Sequence, residues 1–150
     1  MHYTEGFTGK AIISMKEAIH AAEEFGHTYI GSEHLLLGLM EEGTNAAASA
    51  LAAQQVTSER LRQAVTDLVG RGVPAQVRED CLTPSLVAIL EDAKERARDS
   101  EKALAGTEHL LVAMLKETDC VATRLLYTMG VNIQKLYVAV LTAMGIENPT

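Results

Sequence analysis

Apolar residues recur along the first third of the chain at the three- and four-residue spacing of an α-helix. After Thr8, one such run falls on a single helical face and stops near Gly26; its members are Ile12, Met15, Ile19 and Ala22. A second run begins after Gly31, with apolar positions at Leu35, Leu36, Leu39 and Met40. The pattern predicts a first helix that begins after Thr8 and a second helix that Ser32 caps and Gly43 ends.

Two further helices are predicted before the middle of the chain. An alanine-rich run predicts a helix over about 45–53, and Thr57 begins another that extends to Gly70. The alternating β-branched and aromatic runs that strands require do not occur, and aromatic residues make up only 4% of the chain. We therefore predict an all-α fold.

The whole pattern occurs twice. The tetrapeptide Gly-Ser-Glu-His at 31–34 returns 75 residues later as Gly-Thr-Glu-His at 106–109, and two leucines follow it both times. Without a gap, 8–70 and 83–145 share sixteen identical pairs. The second copy starts at Thr83-Pro84, a hydroxyl cap followed by a proline in the first turn, and continues with Thr107 and Asn132 as further helix starts. We predict eight helices in one domain over 1–150, with repeat one at 8–70, a linker at 71–82 and repeat two at 83–145.

Composition excludes several classes of protein. The chain has 150 residues, 47% of them hydrophobic, and its 20 acidic against 13 basic residues give a net charge of −7, which does not favour nucleic-acid binding. The two cysteines, Cys81 and Cys120, have no Cys-x-x-Cys spacing and fit a reducing compartment. No run approaches about 18 apolar residues and no secretion signal begins the chain. We predict a cytoplasmic protein that contacts neither nucleic acid nor membrane.

The repeated Glu-His pairs are the candidate chemistry. Glu33 and Glu108 each follow a helix start, where the helix dipole stabilises a negative charge, and His34 and His109 have the features of structural residues. The chain has no His-Glu-x-x-His, no Gly-x-Ser-x-Gly and no phosphate-binding loop for ATP. We therefore predict no catalytic residue, no metal ligand and no cofactor in this domain.

What remains is a pair of equivalent helix N-termini, each with free backbone N–H groups, a hydroxyl and a carboxylate. The N–H groups and the dipole favour an anion, while Glu33 or Glu108 can accept a planar guanidinium with both carboxylate oxygens. A ligand with a guanidinium next to a phosphate would satisfy both halves of such a site.

These motifs resemble the N-terminal domain of the Clp/Hsp100 ATPases, most closely the ClpC type. The resemblance rests on the doubled Gly-Ser/Thr-Glu-His-Leu-Leu and on three flanking stretches, Phe-Thr-Gly-Lys-Ala at 7–11, Gly-His-Thr-Tyr-Ile at 26–30 and Leu-Thr-Pro at 82–84. It implies two four-helix repeats related by a pseudo-two-fold axis. It also implies a non-catalytic domain that receives substrates and adaptors such as MecA for an attached AAA+ unfoldase, which passes the substrate to the ClpP peptidase.

The resemblance further implies a ligand. In ClpC-type domains each repeat binds phosphoarginine, a degradation mark, through the motif glutamate; by position these are Glu33 and Glu108, with Ser32 and Thr107 beside the phosphate. The family usually has Phe-Thr-x-Arg near the start of each repeat, where this chain has Lys10 and Ser85. Because Lys10 keeps a positive charge and Ser85 does not, we expect a working site in repeat one and a weakened or repurposed site in repeat two.

Three functions are compatible with the sequence. The first is a substrate- and adaptor-recognition domain of a Clp-type unfoldase, itself not an enzyme. The second is a free-standing Clp-repeat protein that regulates an unfoldase, and the third is a small metal-dependent hydrolase that uses the Glu-His pairs. Because hexamerisation in the family belongs to the ATPase domains, the isolated domain is expected to be a monomer.

Overall fold

Residues 2–145 of the computed structural model are described, and they form eight α-helices after one short 3₁₀ turn at His2–Thr4. Repeat one contains α1 (Gly9–Glu24), α2 (Ser32–Glu42), α3 (Ala46–Ala52) and α4 (Ser58–Leu68). Repeat two contains α5 (Pro84–Asp99), α6 (Thr107–Lys116), α7 (Val121–Thr128) and α8 (Ile133–Ala143). The predicted all-α fold with eight helices in two four-helix repeats is confirmed.

Side-chain caps fix the starts of the outer helices at the predicted residues. The hydroxyl of Thr8 accepts the N–H of Ala11 at 3.3 Å in the first turn of α1. The equivalent hydroxyl of Thr83 accepts the N–H of Leu86 at 3.1 Å in α5. Thr57 and Asn132 cap α4 and α8 in the same way. Because each cap satisfies an N–H group that has no partner inside its helix, the chain is directed into the helix at these points.

The central helices of the two repeats, α2 and α6, are buried on nearly all sides. In α2 eight successive residues are buried, Ser32, Glu33, His34, Leu35, Leu36, Leu37, Gly38 and Leu39. The amphipathic helices surround them: α1 packs along α2, α5 along α6, and α4 and α8 cover the remaining faces. None of the helices in the described part of the chain combines the length and the apolar character needed to cross a membrane.

The repeats are joined by two short parallel bridges that the pseudo-two-fold axis relates to each other. Phe7 pairs with Ala105, and Leu82, the equivalent of Phe7, pairs with Ile30, the equivalent of Ala105. In the first bridge the N–H of Thr8 donates to the carbonyl oxygen of Ala105 at 2.9 Å. The bridges therefore place the start of α1 beside the start of α6, and the start of α5 beside the start of α2.

The linker between α4 and α5 lies against the C-terminal end of α1. The N–H of Gly72 donates to the carbonyl oxygen of Phe25 at 2.8 Å, and the N–H of Val77 donates to the Glu23 carboxylate at 3.0 Å. Gly26, with φ of 70°, approaches the Gly72 backbone so closely that a Cβ atom would collide with it. The linker thus packs as part of the domain surface.

Candidate functional site

The repeated motif starts the central helices in a way that differs from the prediction. Ser32 and Thr107 do not cap α2 and α6; the N-cap positions belong to Gly31 and Gly106. Nδ1 of His34 accepts the N–H of Gly31 at 2.9 Å, and His109 makes the same 2.9 Å bond in repeat two. The predicted cap was wrong because the histidine side chain, in the third helical position, reaches back to the N-cap backbone and leaves the hydroxyl free for another partner.

The two hydroxyls instead cap helices of the opposite repeat. Oγ of Ser32 accepts the N–H of Ala122 in the first turn of α7 at 3.0 Å. Oγ1 of Thr107 accepts the N–H of Ala47 in the first turn of α3 at 3.4 Å. Both residues are buried. Their role beside a phosphate stays a prediction, and in the structure both hydroxyls tie one repeat to the other.

The motif glycines give room to the motif glutamates. The side chain of Glu33 folds back over Gly31, where an added Cβ atom would collide with its Oε1. Glu108 does the same over Gly106, where a Cβ would lie 2.9 Å from the carboxyl carbon. Any other residue at Gly31 or Gly106 would displace the carboxylate from the helix N-terminus. The Gly-x-Glu pair is therefore one geometric unit in both copies.

The two glutamates nevertheless differ in their access to solvent. Glu33 is 1% exposed, and the hydroxyl of Tyr29 donates to its Oε2 at 3.0 Å. The Glu108 side chain is 26% exposed. The ring of His109, 3.3 Å from Oε1, lowers the pKa of Glu108; partial burial opposes this, and the backbone N–H of Glu108 itself adds to the lowering. Glu108 is consequently an ionised carboxylate that a ligand can reach.

Glu108 lines an open groove of about 490 Å³ that both repeats form. One wall comes from the start of α1, another from the start of α3, and the third from the start of α6; the lining residues are Thr8, Gly9, Lys10, Asn45, Ala46, Gly106, Thr107 and Glu108. Nζ of Lys10 donates to the carbonyl oxygen of Thr44 at 2.9 Å, which places its charge at the rim. We call this cavity the α1–α6 groove.

The groove combines predicted residues that the sequence had assigned to different sites. Lys10 was expected to act with Glu33 in repeat one, but it lines the α1–α6 groove with Glu108 of repeat two. The reason is the parallel bridge, which carries the first helix of each repeat to the motif of the other. Glu33 correspondingly lies near the Thr83-Pro84 start of α5, since the N–H of Thr83 donates to Ile30.

Backbone groups of α1 that the sequence analysis missed also belong to the groove. The N–H groups of Gly9 and Lys10, in the first turn of α1, have no hydrogen-bond partner within the described residues. Such groups at a helix N-terminus attract anions. Thr8 as a cap was the only signal for them in the sequence. Among residues 2–145 no three His, Cys, Asp or Glu side chains lie close enough together to hold a metal ion.

Comparison with known proteins identifies the family. The family model described as the Clp repeat (R) N-terminal domain matches residues 6–129 and 81–148. The chain belongs to the Clp N-terminal domain family. The two overlapping matches reflect the duplication, and this Clp N-domain therefore carries both repeats of the family.

Two curated relatives show which Clp proteins are similar. A ClpA homologue of the Clp protease ATP-binding subunit from Cyanidium caldarium is 38% identical over 94% of this chain. The negative regulator of genetic competence ClpC/MecB from Bacillus subtilis is 36% identical over 93% of the chain. The chain spans 16% and 17% of the length of these two relatives. The predicted resemblance to the ClpC type is confirmed.

Two solved structures have the same fold. The N-terminal domain of the chaperone ClpD from Arabidopsis thaliana matches with a TM-score of 0.79 and 25% identity, covering 95% of this chain and 97% of that one. A ClpV N-domain in complex with a VipB peptide matches with a TM-score of 0.71 and 18% identity, covering 99% and 93%. Clp N-domains are recognition domains of Clp/Hsp100 ATPases and are generally non-catalytic.

Proposed function

We propose that this Clp N-domain recognises substrates and adaptors for a Clp-type unfoldase, and that the α1–α6 groove binds phosphoarginine on proteins marked for degradation. The observation that carries the proposal is the composition of the groove. It places an ionised carboxylate, Glu108, opposite the cation of Lys10 and two free backbone N–H groups. A ligand that carries a positive and a negative group side by side matches this arrangement.

The two ends of phosphoarginine would occupy opposite walls. The guanidinium donates two parallel N–H groups to the carboxylate of Glu108, a geometry that a compact ammonium ion does not match. The phosphoryl oxygens accept from the N–H groups of Gly9 and Lys10 at the N-terminus of α1, and the Lys10 side chain supplies the counter-charge. Asn45 lines the same groove but its side chain is already bonded to Leu39, Glu42 and Ala48.

The wider function follows from the family. A ClpV N-domain of this fold has been solved with a VipB peptide, and one relative is ClpC/MecB. By analogy we propose that this domain receives substrate proteins and MecA-like adaptors, that an AAA+ ATPase attached to it unfolds them, and that ClpP degrades them. The domain would need no cofactor, contact no nucleic acid or membrane, act in the cytoplasm and be monomeric in isolation.

Calorimetric titration of the 1–150 chain with phosphoarginine tests the groove. Arginine and inorganic phosphate serve as half-ligands, and each should bind more weakly than phosphoarginine because it satisfies only one wall. Glu108→Gln keeps the side-chain volume and removes the charge, so it should weaken phosphoarginine binding ~10- to 100-fold. Glu91→Gln, on the exposed face of α5, is the matched control and should change nothing. Absence of binding, or equal affinity in the two variants, would contradict the proposal.

A further inference from the structure

Glu33 and Glu108 are equivalent by the pseudo-two-fold axis, yet their surroundings are not. Both carboxylates fold back over a motif glycine at the N-terminus of a central helix. Glu33 is nevertheless 1% exposed, whereas the side chain of Glu108 keeps 26% of its surface in contact with solvent. Something other than the motif itself therefore covers Glu33.

The residue four positions before each glutamate accounts for the difference. In repeat one it is Tyr29, whose hydroxyl donates to Oε2 of Glu33 at 3.0 Å. In repeat two it is Leu104, which has no donor and is 48% exposed. Hydrogen bonding by Tyr29 occupies one of the two oxygens that a guanidinium would need for a bidentate pair.

Neighbouring rings hold Tyr29 in this position. Its ring stacks on His27 with a 4° angle between the planes and 5.5 Å between centroids, and it lies 5.3 Å from the ring of His34. Burial, and then the charge of Glu33, raise the pKa of Tyr29 to about 12. The hydroxyl therefore keeps its proton at neutral pH and remains a donor to the carboxylate.

The anion side is also missing at Glu33. The helix that starts beside it is α5, and its first residue, Pro84, has no N–H, whereas the equivalent Gly9 offers one. The next residue is Ser85 in place of Lys10. The surroundings of Glu33 thus lack both an accessible carboxylate and the cation that the α1–α6 groove has.

We propose that Tyr29 occludes the carboxylate of Glu33, so that the domain binds one phosphorylated guanidinium group per chain, at Glu108, and none at Glu33. This inference rests on the proposed function of the α1–α6 groove. It reverses the expectation from the sequence, in which repeat one held the working site. The duplicated motif then serves recognition in one copy and the packing of the two repeats in the other.

Titration of the 1–150 chain with phosphoarginine gives the number of sites. We expect a stoichiometry of one, loss of binding in Glu108→Gln and unchanged binding in Glu33→Gln. A stoichiometry of two, or loss of one of two sites in Glu33→Gln, would overturn the occlusion while leaving the proposed function in place. A failure of the proposed function would instead show as no binding at all.

Carboxylate labelling tests the occlusion without any ligand. A carbodiimide with an amine nucleophile, followed by mass spectrometry, should modify Glu108 readily and Glu33 several-fold more slowly. Tyr29→Leu, which copies Leu104, should bring the rate at Glu33 close to that at Glu108, and Tyr127→Leu, at a 77% exposed tyrosine, should not. Tyr29→Phe keeps the ring, serves if the leucine variant does not fold, and should give an intermediate rate. Rapid labelling of Glu33 in the unmodified chain, or no change in either Tyr29 variant, would refute the inference.

Discussion

Nε2 of His34 lies 2.7 Å from Nδ1 of His27, and the partners of the other two ring nitrogens determine which atom carries each proton. Nδ1 of His34 accepts the N–H of Gly31 at 2.9 Å, so the proton of His34 is on Nε2 and is donated to His27. Nε2 of His27 lies 2.8 Å from the carbonyl oxygen of Gly70, which can only accept. All four ring nitrogens are therefore bonded while both rings are neutral, and the bonds connect the start of α2 with the end of repeat one.

Acid should destabilise the domain through this pair. Burial, and then the neighbouring His27, lower the pKa of His34 from 6.5 to about 3. Between these values the unfolded chain binds a proton at this side chain and the folded chain does not, so protons favour the unfolded state. We expect the free energy of unfolding to fall by up to about 1.4 kcal/mol for each pH unit below the unfolded pKa. Urea denaturation between pH 7 and pH 5 measures it before most carboxylates titrate.

Two glutamine variants separate His34 from other titrating groups. His34→Gln will itself lower the stability, but the dependence of stability on pH should become shallower because the titrating group has gone. His20→Gln is the control, since the side chain of His20 is 67% exposed and should leave the slope unchanged. If His34→Gln and the unmodified chain had the same slope, the neutral pair would not be the cause.

The hydroxyl of Ser32 should contribute to stability through the opposite repeat. Ser32→Ala leaves the buried N–H of Ala122 without an acceptor, and α7 has no side-chain cap of its own to replace it. We expect a loss of about 1–2 kcal/mol in the free energy of unfolding. Ser49→Ala, at an exposed position of α3, should stay within about 0.5 kcal/mol of the unmodified chain. Equal stability of the two variants in urea would show that the cross-repeat bond is not stabilising.

Gly38 should tolerate no side chain. Within α2 it faces α1, where a Cβ atom would collide with the carbonyl oxygen of Ser14 and lie 2.9 Å from the backbone nitrogen of Ala18. Because these obstacles are backbone atoms, Gly38→Ala forces the two helices apart and should cost about 2–3 kcal/mol. Gly9→Ala, where no atom lies within 4 Å of the new Cβ, should stabilise by about 0.4–1 kcal/mol. Thermal denaturation of both variants checks the contrast, which would fail if both shifted the melting temperature in the same direction.

The fold was predictable because its determinants are local. The caps at Thr8, Thr57 and Thr83, the left-handed Gly43 at the end of α2 and the helical spacing of apolar residues each act within a few residues of sequence. The duplication then required the two halves to have the same helices. The equal treatment of both halves also explains what was missed, because the match of 8–70 with 83–145 contains no information on how the repeats contact each other.

The composition of the site was not predictable for that reason. Lys10 and Glu108 are 98 residues apart in sequence and come together only because Phe7 pairs with Ala105 across the pseudo-two-fold axis. The burial of Glu33 depends on Tyr29, whose i,i+4 spacing from the glutamate was a signal available in the sequence. The direction of the Ser32 hydroxyl was not, since an α7 partner 90 residues away leaves no local trace.

The cation in the α1–α6 groove should determine affinity for the phosphoryl half of the ligand. Lys10 presents a single ammonium group, whereas arginine would offer two parallel donors that match phosphoryl oxygens. We expect Lys10→Arg to raise the affinity for phosphoarginine a few-fold and Lys10→Ala to lower it ~10-fold, as the loss of one charge-assisted hydrogen bond implies. Calorimetry with phosphoarginine and with arginine measures both effects.

Arginine separates the two walls of the groove in this series. Because it lacks the phosphoryl group, its binding to Glu108 should be unchanged or slightly stronger in Lys10→Ala, where a positive charge has been removed near the site. Lys16→Ala is the matched control, since Lys16 is exposed on α1 outside the groove and should leave both affinities unaltered. If Lys10→Ala weakened arginine and phosphoarginine by the same factor, the lysine would be supporting the groove itself rather than a phosphoryl group, and the anion wall would have to be the backbone of α1 alone.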